Sequence, residues 1–239
     1  MSLRRSAALL LPLLALSVVA ACGGAQSPAG NLFKNPGLEE GESPWFSLST
    51  EAWGARFQVS QAAAHGGTAS ALLEMRAEQA TEGAKVFGVV QEVSPRRFPE
   101  LVSGFYRVEN WSRGTPKQYL QFVVIAIGDT NLPGGYPNHQ IRFLLAGIDE
   151  PPFQISNAKF VFVNKEEPVT GRWVYFERNI KKDFEELWGA APENFEKLRL
   201  LFEVRYDDKA AGSGNVKADV YYDDLYMGPA SGNPNRPQG

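Results

Sequence analysis

The sequence predicts an all-β fold, a two-sheet antiparallel β-sandwich, and three observations carry that expectation. Short runs with strand character recur along the chain, separated by Gly, Pro and Asn clusters. No alternation of strand and helix follows the pattern of parallel βα units. Aromatic residues make up 12% of the chain within a hydrophobic content of 44%, which leans toward β structure.

The runs fall at Ala69–Met75, Val86–Val93, Leu101–Val108, Tyr119–Ile127, Gln140–Leu145, Lys159–Val163, Trp173–Ile180, Leu198–Tyr206 and Val216–Met227. Alternation assigns faces, because successive strand side chains point to opposite sides. In Leu198–Tyr206 one face holds Leu198, Leu200, Phe202, Val204 and Tyr206, and the other Arg199, Leu201, Glu203 and Arg205. Tyr119–Ile127 is apolar on both faces apart from Tyr119 and Gln121, the pattern of a central strand. Only residues 181–197 break the period: Phe184, Leu187 and Trp188 recur at helical spacing, Gly189 stops the turn, and Pro192 is placed to open another. A short helical insertion is expected there, its three apolar residues packing inward.

The start of the chain carries a different signal. Arg4 and Arg5 precede an apolar run from Ala7 to Ala21 that ends in Val19-Ala20-Ala21-Cys22. Charge, apolar run and small residues in that order describe a secretory leader, and about 15 apolar residues fall short of the roughly 20 that span a bilayer. The last four resemble a lipobox, the motif of bacterial lipoproteins, which implies cleavage before Cys22 and acylation of its thiol. Cys22 is the chain's single cysteine, so no intrachain disulfide can form. The expected order is a leader at 1–21, a flexible tether at 22–30, one folded domain at 31–228 and a disordered tail at 229–239, the whole held by lipid at the outer or cytoplasmic membrane. The formal charge of −3 becomes −5 without the leader, and no basic tract remains. That composition excludes nucleic acid as a partner and confines membrane contact to the anchor.

The domain opens Asn31-Leu32-Phe33-Lys34-Asn35-Pro36-Gly37-Leu38-Glu39-Glu40-Gly41, followed by Trp45. Ala64-His65-Gly66-Gly67-Thr68-Ala69-Ser70 reads as a turn into a strand, and Val220-Tyr221-Tyr222-Asp223-Asp224-Leu225-Tyr226 as a closing strand with an acidic pair. With Gln91-Glu92-Val93 and Leu101–Tyr106 between them, these segments resemble, in order, the jelly-roll carbohydrate-binding modules of the galactose-binding-like class, families four, nine and twenty-two. Leu38 departs from the aromatic usual in the first motif, and the chain is longer than such modules, chiefly in 131–152 and the helical insertion. The resemblance implies a jelly roll in which calcium ties the first strand to the last, with Glu39 and Asp223 supplying carboxylates and the Gly66–Thr68 turn, Thr68 included, supplying carbonyls. Calcium takes such hard oxygen ligands.

It also implies carbohydrate binding without catalysis at the cell surface. Two further readings stand beside it: a polysaccharide-active lyase or hydrolase on the same scaffold, and a structural or adhesion lipoprotein that binds protein. No GxSxG, HExxH or phosphate-loop motif occurs. A hydrolase would draw on Glu109, Glu177 and Glu203, and a lyase on Tyr119, His139 and Arg142. For binding, Arg107, Glu109, Tyr119, Gln121, Glu203 and Arg205 form one polar patch if their strands share a sheet. Trp111 then stands at its rim as a stacking platform, and Arg142 joins from the next strand. Trp45 and Trp173 are expected in the core.

If Cys22 is the anchor, Cys22→Ser leaves the protein soluble on cell fractionation. A variant that still sediments with membranes shows that another element holds it.

Overall fold

The computed structural model describes residues 30–236; the expected leader, Cys22 and the tether up to residue 29 lie outside them. Ten strands run in chain order: β1 (Gln58–Ser60), β2 (Ser70–Ala77), β3 (Gly83–Val93), β4 (Leu101–Ser112), β5 (Lys117–Ile127), β6 (Asn138–Ala146), β7 (Ala158–Phe162), β8 (Trp173–Arg178), β9 (Lys197–Lys209) and β10 (Val216–Gly228). One helix, α1 (Ile180–Trp188), lies between β8 and β9. The strands form two five-stranded sheets, β1-β2-β10-β4-β8 and β3-β9-β5-β6-β7. All nine expected strands are present. The three-residue β1 is an addition too short to show alternation. Pairing is antiparallel except between β6 and β7, which run parallel.

Between the sheets the inward rows interlock. Phe202 of β9 lies at the centre, its ring 5.6–6.2 Å from those of Phe33, Trp45, Phe122, Phe176 and Tyr222. Each such ring, removed from water, contributes about 1.5–3 kcal/mol. The first described segment is stitched to the last strand: Leu32 N–H donates to the Met227 carbonyl at 2.8 Å, and the Asn31 side chain bonds both Leu225 and Met227. Two segments nearly two hundred residues apart in sequence are thereby joined along β10, the central strand of the first sheet.

The Asn179 side chain caps α1 by accepting from Lys182 N–H at 2.9 Å, and Gly189 ends it at φ 86°, a left-handed conformation that favours glycine. Phe184 and Trp188 are buried as expected, but Leu187 is exposed. No helix starts at Pro192, because the backbone there bonds the Asn131 side chain, through the Ala191 carbonyl and Glu193 N–H. A further correction concerns 229–236, expected to be disordered. Tyr226 donates to the Pro229 carbonyl, Asn233 bonds Ser103, Tyr175 and Glu177, and Arg236 forms a two-bond pair with Glu177. Polar side chains rather than apolar periodicity hold this strap, and a composition-based reading is blind to them.

Candidate functional site

β9 is hydrogen-bonded on both edges, to β3 and to β5, which makes it an interior strand of the second sheet. Its outward face carries Glu203 and Arg205, opposite Gln121 and Tyr119 of β5. Arg142 of β6 stands opposite Val123, one strand further. Five of the expected ligand residues thus lie together on the outward face of the second sheet. Gln121 and Tyr119 are fully buried, Glu203 is 3% exposed, and the Arg205 side chain 12%.

Charge in such a place needs partners. Gln121 Nε2 donates to Glu203 Oε2 at 2.5 Å; Arg205 Nη2 donates to Asp207 Oδ1 at 2.5 Å, and the Tyr119 hydroxyl to Asp207 Oδ2 at 2.7 Å. Burial, the nearby carboxylates and the bond to Asp207 push the Tyr119 hydroxyl far up. Burial opposes the charge of Arg205, yet Tyr119, Glu203 and Asp207 outweigh it and hold its pKa above the ordinary value. Arg142 moves down, with burial the main cause. Two atoms of this network are left without a partner among the described residues: Gln121 Oε1, an acceptor, and Arg205 Nε, a donor.

Two loops cover the floor. The Phe153 ring of the 147–157 segment lies 5.0 Å from the Arg142 guanidinium and 5.1 Å from that of Arg205. Trp53 packs over the Val90, Val123 and Leu201 cluster at the other end. It fits there because residue 88 is glycine: a Cβ would stand 2.7 Å from the indole. Beside Phe153, a cavity of about 470 Å³ opens between the loop and Phe160. Asp207 and Phe153 are the members that sequence reading missed. Asp207 was within reach, two residues beyond Arg205 on the same face, whereas no local signal in Pro151-Pro152-Phe153 tells where the ring lands.

The single-patch expectation fails for the remaining three residues. Arg107, Glu109 and Trp111 belong to β4, which lies in the first sheet. Arg107 pairs with Glu109 on the outward face there. Trp111 is turned toward the core and donates from Nε1 to Glu167 at 2.6 Å, so it is no rim platform. The cause is a bulge against β10 with Asn110 at φ 52°, which breaks the alternation just before Trp111. Trp45 is in the core as expected, but Trp173 stands half-buried on the outward face of the first sheet.

The catalytic sets do not assemble. His139 is buried between Asp129, the Pro133 carbonyl and Trp188, and faces inward, while Tyr119 and Arg142 face outward. Glu203 lies on one sheet and Glu109 and Glu177 on the other. Glu109 stands opposite Asp219 of β10, and Glu177 stands opposite Ser103. Six residues along β4 therefore separate Glu109 from Glu177, about 20 Å of strand, against the roughly 5–9.5 Å between the carboxyl groups of glycosidases.

The turn at 65–69 draws on both the first and the last segments. Glu39 accepts from Thr68 N–H, the Thr68 hydroxyl and Ala69 N–H, each at 2.9 Å. Asp223 accepts from the N–H groups of His65, Gly66 and Asp224. Asp223 is fully buried, and burial together with the charge of Asp224 raises its pKa to about 7. The turn fits between these acids only as glycine: a Cβ on Gly66 would stand 2.6 Å from Asp224, and one on Gly67 2.3 Å from Glu39. Hard oxygen donors and surplus negative charge suit calcium. No three acid, imidazole or thiol side chains converge on one point among the described residues, so a cation here needs backbone carbonyls to complete its shell.

No protein-family model matches the chain, and no curated protein matches it. Among solved structures it is similar to a family 61 carbohydrate-binding module in complex with β-1,4-galactotriose, at 16% identity and TM-score 0.42, over 82% of this chain and 97% of that one. It is also similar to the family 22 xylan-binding domain from Paenibacillus barcinonensis, at 18% identity and TM-score 0.42, over 86% and 99%. A family 28 module specific for non-crystalline cellulose aligns at 12% identity and TM-score 0.41, over 85% and 98%. The sandwich assignment rests on the strand order and registers above, independently of these likenesses.

Proposed function

We propose that the mature chain is a lipid-anchored glycan-binding domain of the bacterial cell envelope, and that sugar hydroxyls bind over Gln121, Glu203 and Arg205. One observation carries the reading: a buried acceptor, Gln121 Oε1, and a buried donor, Arg205 Nε, both lacking partners on one face. An unmet buried polar atom costs about 1–3 kcal/mol. A hydroxyl donates and accepts, so a neutral sugar satisfies both atoms, whereas a carboxylate or phosphate answers only the arginine. Phe153 rests on both guanidinium groups and is the aromatic ring that a pyranose would displace or stack against. Glu109 and Glu177 lie on the other sheet from Glu203, which disfavours a hydrolase that draws on those three acids.

Affinity electrophoresis through a polysaccharide panel, with released reducing and unsaturated ends scored in parallel, tests this reading. Glu203→Gln keeps shape and volume while changing the acceptor that orients Gln121. It is expected to weaken retention about tenfold, equivalent to 1.4 kcal/mol, and to lower Tm, so retention is compared at a temperature where both proteins remain folded. Retention equal to wild type places the site elsewhere, and released ends mark an enzyme.

Calcium is the second part of the proposal, held by Glu39 and Asp223 with carbonyls of the Gly66–Thr68 turn. Bound there, it would neutralise the acids and tie the first segment to β10. In chelator, folded Asp223 keeps its proton to about pH 7, against an ordinary 3.8. The folded state then binds more protons than the unfolded state across that window. This group's stabilisation is therefore complete below about pH 4 and is lost as the pH rises through 7. Calcium favours the carboxylate, so its gain in Tm should be larger at pH 8 than at pH 5, and Asp223→Asn should remove it. Equal melting curves in calcium and chelator at pH 8 would refute this part.

A further inference from the structure

The outward face of the first sheet holds a second set of sugar-suited groups. On one rung stand Tyr221 of β10, Arg107 of β4 and Trp173 of β8. Neighbouring strands lie about 4.8 Å apart, which sets the two aromatic residues about 10 Å apart with the guanidinium between them. Tyr221 is sunk to 8% exposure and walls one side, while Trp173 is half-buried. Arg107 gives both Nε and Nη2 to a single oxygen, Oε1 of Glu109, at 2.8 and 2.5 Å. Its Nη1 donor and the Glu109 Oε2 acceptor are left without a protein partner among the described residues, on side chains about one-third exposed.

The rings around this pair are fixed in place. The His65 imidazole stacks on Phe105 at 3.5 Å, with planes 15° apart, and meets Trp173 edge-on at 5.8 Å. Phe105 pairs across strands with Tyr175. A free donor beside a free acceptor answers two neighbouring hydroxyls, and a braced indole covers the apolar face of a pyranose. A protein partner suits the face less well, since interface cores are depleted of charge, whereas Arg76, Asp219 and Glu74 continue the charged rows here.

We infer that this face is a second glycan-contact surface, centred on Arg107, Glu109 and Trp173, which makes the domain bivalent for a polymer. It rests on the glycan-binding reading. The two surfaces lie on opposite sides of the sandwich, so one domain can hold two chains and cross-link them.

The test mixes the mature domain with a retained polysaccharide and measures both retention and solution viscosity. Wild type is expected to raise viscosity. Glu109→Gln and Trp173→Ala are each expected to abolish that rise while keeping retention through the second sheet. In a Glu203→Gln background, either change should lower the remaining retention at least tenfold. Glu109→Gln touches no core residue, so it guards against a folding defect in Trp173→Ala. Binding by wild type without cross-linking, or cross-linking that survives both changes, overturns the inference and leaves the first site standing. Failure of wild type to bind any polymer overturns both.

Discussion

Charge buried on the outward face of β9 is the constraint on which the rest of this structure depends. β9 fills the sandwich with Leu198, Leu200, Phe202 and Val204 on one side, so Glu203 and Arg205 must face away. Both are nonetheless nearly sealed from water, and an unpaired charge there would cost several kcal/mol. β5 supplies Gln121 and Tyr119, and β9 itself supplies Asp207, two residues beyond Arg205. The covering loops follow from the same need: Phe153 lies over the guanidinium groups, and Gly88 leaves room for Trp53. Among the described residues the network meets its demands except at two atoms, Gln121 Oε1 and Arg205 Nε.

The two ends of the sandwich are tied by other means. The first segment reaches β10 through Asn31 and Leu32, and its Glu39 holds the turn that Asp223 grips from the other side. The strap at 229–236 then crosses β4 and β8, with Glu177 gathering bonds from Tyr175, Asn233 and Arg236. The strap covers the Ser103–Glu177 end of the outward face and leaves the Arg107–Trp173 end open.

How much of this was legible in the sequence depends on the range of the interaction. Alternation in Leu198–Tyr206 gave both faces of β9 correctly, and nine strands could be placed, because side-chain direction along a strand is local. Which sheet a strand joins is not local. β4 and β5 are consecutive, only four residues apart, yet they lie in different sheets, so Arg107 and Glu109 could not be separated from Tyr119 and Gln121 by pattern. Trp111 failed for a finer reason, the left-handed Asn110 at a bulge, a conformation asparagine adopts more readily than most residues but which its presence does not prove. The strap was invisible because its bonds run from asparagine and arginine to strands more than fifty residues away.

The central claim is that the unpaired atoms over β9 take a hydroxyl ligand, and Arg205 reports on it directly. Its Nε–H resonance can be followed by nuclear magnetic resonance while a retained oligosaccharide is titrated into the mature domain. Binding at this face shifts the Arg205 Nε–H and the Gln121 side-chain amide together, saturating at the same concentration, and moves the Phe153 ring signals with them. A saturating titration that shifts resonances elsewhere and leaves these three unmoved would contradict the account.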